Sequence, residues 1–147
     1  MNATLNRFSF LLATIPDLLK KIPIDEFEHK PDEGRWSKKE ILGHLLDSAT
    51  NNHHRFVRSQ FEENPSIQYD QEKWNAHNYY QSCELGHLIE FWVLYNRQVL
   101  YLLKNIPAGF HQRRCDTGGR SLTIGFIAED YVRHMEHHLK QIVKYEG

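Results

Sequence analysis

Tyr131-Val132-Arg133-His134-Met135-Glu136-His137-His138-Leu139-Lys140-Gln141 reads as the second half of a helix with three histidines in five residues. At about 3.6 residues per turn, His134 and His138 stand one turn apart on the same face, while His137 lies about 100° round the axis from His138. Ile124, Ile127, Tyr131 and Ile142 follow that face, so the two histidines occupy positions where an apolar stripe calls for Leu or Ile. An imidazole in a helical core must find a hydrogen-bond or metal partner, since burying it unpaired costs roughly 1–3 kcal/mol. Two histidines at this spacing are two thirds of a metal site, but the same spacing also occurs on solvated faces. A third ligand has to come from another helix.

Three further segments are helical by periodicity. Leu5, Phe8, Leu11, Leu12, Ile15, Leu18 and Leu19 mark an amphipathic helix over residues 2–21, with Pro16 inside it as a point of kinking or division. Pro23, Pro31 and Gly34 make residues 22–35 a loop long enough to run from one end of a bundle to the other. Ser37 and Glu40 then form a capping box, and Ile41, Leu42, Leu45, Ala49, Asn52 and Phe56 carry one helical face to about Phe61. His44 sits beside that stripe. Residues 64–81 read as a loop with a short helical turn, and a third long helix, from about Ser82 to Asn105, buries Leu85, Leu88, Ile89, Trp92, Tyr95, Asn96, Val99, Leu100 and Leu103. Gly118-Gly119 points to a tight turn or short hairpin before the last helix, whose cap is Thr123, with Ser121 competing. Four helices and no convincing strand predict an all-α, four-helix bundle.

Composition narrows the function. The 147 residues suit a single domain, 1–147, with a full core, and 40% hydrophobic content with 25% charge is that of a soluble globular protein. A formal charge of −1 and no basic cluster argue against nucleic acid and anionic membrane as partners. No apolar run approaches a membrane span and Met1–Leu19 lacks the marks of a secretion signal, so the expected location is cytoplasmic. Cys83 and Cys115 have no CxxC spacing, and no base near Cys83 supports a thiolate nucleophile. The ten histidines are the anomaly. His44 with His134 and His138 offers one facet of a coordination sphere from two facing helices. His53 and His54 lie more than two turns beyond His44, too far for the same ion, and His137 by its facing is a surface residue or one that supports a ligand from behind.

The segment from Trp36 through His44 to Ser48 resembles the second-helix signature of the DinB/YfiT-like superfamily, and Tyr131–Ile142 is similar to the signature of its last helix. Tyr69 and Trp74, separated by a charged stretch, resemble its Tyr…Trp segment between the second and third helices. The likeness implies an up-down-down-up bundle with a divalent metal on His44, His134 and His138, zinc or nickel first, with iron, manganese or cobalt as further candidates. It implies less about the reaction. The expected chemistry is that of a thiol S-transferase acting on small electrophiles with a low-molecular-weight thiol. Metal-dependent hydrolysis of a small ester or amide is the alternative, and a non-catalytic, metal-binding stress-response bundle is the competing class. Dimerisation is common in that family, which makes a homodimer plausible.

Other residues are candidates for supporting the ligands or lining a substrate pocket. Asp47, one turn past His44, is expected to accept from an imidazole N–H, and Ser48, on His44's own face, to orient a ligand or water. Tyr131 lines the site if its hydroxyl finds a partner, and Tyr69 and Trp74 contribute from a loop. Trp36 and Trp92 read as packing residues.

Overall fold

A computed structural model describes every residue from Met1 to Gly147. In chain order it contains α1 (Asn2–Lys20), α2 (Ile24–Glu28), α3 (Lys38–Arg58), α4 (Gln71–His77) and α5 (Leu85–Asn105), then β1 (Arg114–Asp116), β2 (Ser121–Thr123) and α6 (Ile124–Ile142). α1, α3, α5 and α6 are the bundle; β1 and β2 form an antiparallel hairpin ahead of α6.

The helix ends follow from side chains that take orphan backbone donors. Ser37 Oγ accepts from the Glu40 N–H at 3.1 Å, and Glu40 Oε1 accepts from the Ser37 N–H at 3.0 Å, completing the capping box. Thr123, not Ser121, caps α6 through the Phe126 N–H. Glu84 accepts from both Gly86 and His87, so α5 begins at Leu85, and Tyr80–Ser82 is a separate 3₁₀ turn. α3 stops at Arg58, short of Phe61, which is 69% exposed beyond it. α1 runs unbroken past Pro16. The segment expected to be wholly loop, 22–35, contains α2, which tucks Phe27 fully into the core.

α1 and α3 each pack on both α5 and α6, which sets α1 and α3 at opposite corners. α1 is parallel to α6: Arg7 pairs with Glu136, while Leu18 and Ile22 adjoin Ile142 and Val143. α3 runs against α6, with His44 meeting His134 near one end and Arg55 facing Ile127 and Asp130 near the other. α3 and α5 are parallel, since Gln81, just ahead of α5, bonds Ser37 and Lys39, and further along His53 meets Tyr95. The order is therefore up-down-down-up. The first connection crosses the diagonal at one end of the bundle; the run from end to end is made instead by residues 59–84, because α3 and α5 are parallel. Phe8, Leu11, Leu42, Phe56, Trp92, Leu103, Ile124 and Leu139 meet in the core. No helix is long and apolar enough to cross a membrane.

Candidate metal centre

His44 comes from the first half of α3, and His134 and His138 come from the second half of α6. Because α3 and α6 are antiparallel, these halves face each other. The three ring-to-ring distances are 5.0, 4.7 and 4.6 Å, and one nitrogen from each ring lies within 4.8 Å of the others. His44 Nε2 and His134 Nε2 are 3.1 Å apart. Two facing lone pairs at that distance require a proton or a cation between them. Nitrogens about 2.0–2.1 Å from a tetrahedral zinc would be about 3.3 Å apart, so the spacing suits a shared ion.

The electrostatics suit it as well. Burial, reinforced by His134 and His138, drives the His44 pKa down to about 3. Burial and the neighbouring His138 lower His134 to about 4, and burial lowers His138 too. All three rings are neutral near pH 7 and present lone pairs, the form a metal binds. His138 Nδ1 lies 2.9 Å from Gln141 Oε1, an acceptor, so Nδ1 carries the proton and Nε2 keeps its lone pair. Trp36 stacks on His44 with ring centres 4.8 Å apart and shields one side of the cluster.

The other expected site residues divide. Asp47 is buried but bonds no imidazole; its Oδ1 accepts from the Tyr80 hydroxyl at 2.5 Å and from Asn78 Nδ2 at 3.0 Å. Its Oδ2 and the His44 Nδ1 are both buried without partners. Burial raises the Asp47 carboxyl to about 6, against the opposing pull of Tyr80 and Asn78. Ser48, Tyr69 and Tyr131 line a pocket of about 130 Å³ that also touches His134. Tyr131 reaches it from the core, its hydroxyl donating to Asn96 Oδ1. Trp74 does not line this pocket and packs edge-on against Tyr69. His137 is exposed and turns towards an open groove between α1 and α6, and His53 bonds Tyr95. That groove is the largest hollow, about 740 Å³, yet none of the three clustered histidines lines it.

Four residues around the site were not singled out from sequence: Trp36 as a ring against His44, Gln141, Tyr80 and Arg55. Two had a signal. Gln141 stands three residues from His138, and Arg55 continues the His44, Ser48, Asn52 face at helical spacing.

Comparison with known proteins agrees with this architecture. A family model for the DinB superfamily matches residues 7–142. A protein of Oceanobacillus iheyensis, provisionally named a metal-dependent hydrolase, is 29% identical over 148 residues, spanning 96% of this chain and 85% of its own. Among solved structures, YfiT from Bacillus subtilis, described as a probable metal-dependent hydrolase with an unusual four-helix bundle topology, aligns with a TM-score of 0.85. The alignment is 19% identical and covers 96% of this chain and 82% of that one, a likeness of fold.

Proposed function

The chain belongs to the DinB superfamily, and from that premise we propose that it is a metal-dependent hydrolase of small molecules whose divalent cation is held by His44, His134 and His138. One observation carries the proposal: three neutral imidazoles from two helices converge beside a pocket, with no fourth Cys, His, Asp or Glu in the group. Structural zinc usually has four protein ligands, whereas three leave a position for water or substrate. A bound divalent ion lowers the pKa of a coordinated water or thiol towards neutrality and polarises a carbonyl or phosphoryl oxygen. The chain's own groups do the rest. Gln141 fixes the tautomer of His138, Trp36 keeps water from one face of His44, and the Tyr69 and Ser48 hydroxyls offer hydrogen bonds to a substrate in the His134 pocket. Zinc and nickel suit three imidazoles best; iron, cobalt and manganese remain candidates for the ion used in the cell.

Thiol S-transfer is the second reading. In its favour, another hollow, of about 530 Å³, opens on His138 between Trp36, Arg35, Lys38 and Gln141. Group transfer needs room for two reactants, and hydrolysis needs room for one and water.

The test begins with metal analysis of untagged protein, alongside His44→Ala and His138→Ala. We expect about one divalent ion per wild-type chain and loss of that ion in both variants. Protein that holds no ion, and takes up none on incubation, removes both enzyme readings and leaves a non-catalytic bundle. The loaded protein is then assayed on small esters and amides, and with several low-molecular-weight thiols and monochlorobimane. Turnover of the first set alone supports hydrolysis; thiol-dependent turnover of the second supports transfer.

A further inference from the structure

The His134 pocket contains a cation that no carboxylate of the chain pairs with directly. Arg55 lines it, yet its guanidinium makes no salt bridge: Nε and Nη2 donate to the Ile67 carbonyl at 3.1 and 2.9 Å, and Nη1 donates to Asn52 Oδ1 at 3.2 Å. Three of its five N–H groups are thus engaged by neutral oxygens, leaving two free. Asp130, the one carboxylate in the same wall, pairs with Arg133 at 3.0 Å and reaches Arg55 only through space, where its attraction is outweighed by burial. Burial lowers the Arg55 pKa from its ordinary value, the mark of a cation losing water without a full counter-charge. A half-buried charge in that state is costly unless a partner arrives.

We propose that Arg55 is the anchor of an oxyanion subsite beside the histidine cluster, and that the substrate is a small molecule carrying a carboxylate or phosphate. Arginine's planar fork presents N–H pairs that match such oxygens two at a time. The Ile67 and Asn52 bonds hold the fork before any ligand enters, so less freedom is lost on binding. Tyr69 and Ser48 bring hydroxyl donors into the same pocket, whose volume of about 130 Å³ admits a small acid group and little more. The choice of an anion also rests in part on the metal reading above. Three neutral imidazoles leave a divalent ion's charge unbalanced, so ion and Arg55 together favour a negative substrate.

The experiment is an NMR titration of the full chain, metal-free and zinc-loaded, with acetate, inorganic phosphate and the neutral acetamide. It uses wild type, Arg55→Gln, Arg55→Lys and Thr117→Glu. We expect acetate or phosphate, but not acetamide, to shift the Arg55 Nε–H and the amides of Tyr69 and His134 in both metal states. Whichever anion shifts them more names the group. Arg55→Gln should weaken that binding at least about tenfold, and Arg55→Lys should retain part of it as a point charge. Thr117 lines the pocket, so Thr117→Glu supplies an internal carboxylate that competes for Arg55 while leaving the Ile67 bonds in place. It should abolish binding with a urea midpoint no lower than that of wild type, which excludes misfolding as the cause. Equal binding of acetamide, or anion binding that ignores Arg55 and Thr117→Glu, overturns the subsite. Binding that depends on Arg55 in protein unable to take up zinc retains the subsite and rejects the metal reading.

Discussion

His44 and Asp47 lie one turn apart on α3, and burial drives them in opposite directions. Loss of water lowers the imidazole from 6.5 to about 3 and raises the carboxyl from 3.8 to about 6. A depressed histidine leaves the unfolded chain holding more protons, so its contribution to stability is present above pH 6.5 and is lost as pH falls towards 3. A raised carboxyl does the reverse. Its contribution is present below pH 3.8 and is lost as pH rises through about 6. Asp47→Asn cannot ionise, yet retains an oxygen to accept from Tyr80 and Asn78; its unpartnered amide adds only a pH-independent offset. In metal-free protein, the variant's urea midpoint relative to wild type should therefore rise between about pH 4 and pH 7 and then level off. A flat difference over that interval would mean that no buried Asp47 ionises. The three clustered histidines were legible because helical spacing assigns them faces. The partners of Asp47 were not, since Tyr80 and Asn78 arrive from a connection whose path no periodicity specifies.

At the level of elements, the contact between α3 and the turn before α5 turns on one glycine. Glycine in a helix interior usually costs about 1 kcal/mol relative to alanine. At Gly43, however, an added Cβ would sit 2.1 Å from Tyr80 Cδ2, and the Tyr80 hydroxyl is tied to Asp47, so the ring has little freedom to retreat. Overpacking of this kind costs about 1–3 kcal/mol, enough to outweigh the helix preference. Gly43→Ala should destabilise wild type by up to about 2 kcal/mol in urea unfolding, and should stabilise a Tyr80→Ala background by up to about 1 kcal/mol. A substitution with the same sign in both backgrounds would reject the clash. The long helices and their caps could be read because Ser37, Glu40 and Thr123 act on neighbours a few residues away. α2 carries no such signal because five residues are too few for a period, and the sequence starts α5 near Ser82, a few residues early, because Ser82 and Glu84 are both capable of capping it and only the fold shows Glu84 taking the Gly86 and His87 N–H groups.

For the whole molecule, four apolar faces specify four helices, but not which loop makes the long crossing. Residues 22–35 and 59–84 are both long enough, and only the packing of α3 beside α5 assigns the end-to-end run to the second. That topology sets α3 against α6 and makes the histidine cluster a tie between segments 90 residues apart. An ion bound there is available to the folded chain alone, so it should stabilise the bundle by mass action. At a free ion concentration near 100 times the dissociation constant the gain is about 2.7 kcal/mol, or about 5–10 °C in Tm for a domain of this size. Zinc added to metal-stripped wild type should raise Tm by that amount and slow amide exchange in the first half of α3 and the second half of α6. His44→Ala should abolish both effects. His137→Ala should leave both intact, because His137 lies exposed towards the α1–α6 groove and is not one of the three converging histidines, although its ring adjoins that of His138. Equal stabilisation of wild type and His44→Ala would place the ion elsewhere on the surface and dissolve the tie between the two helices.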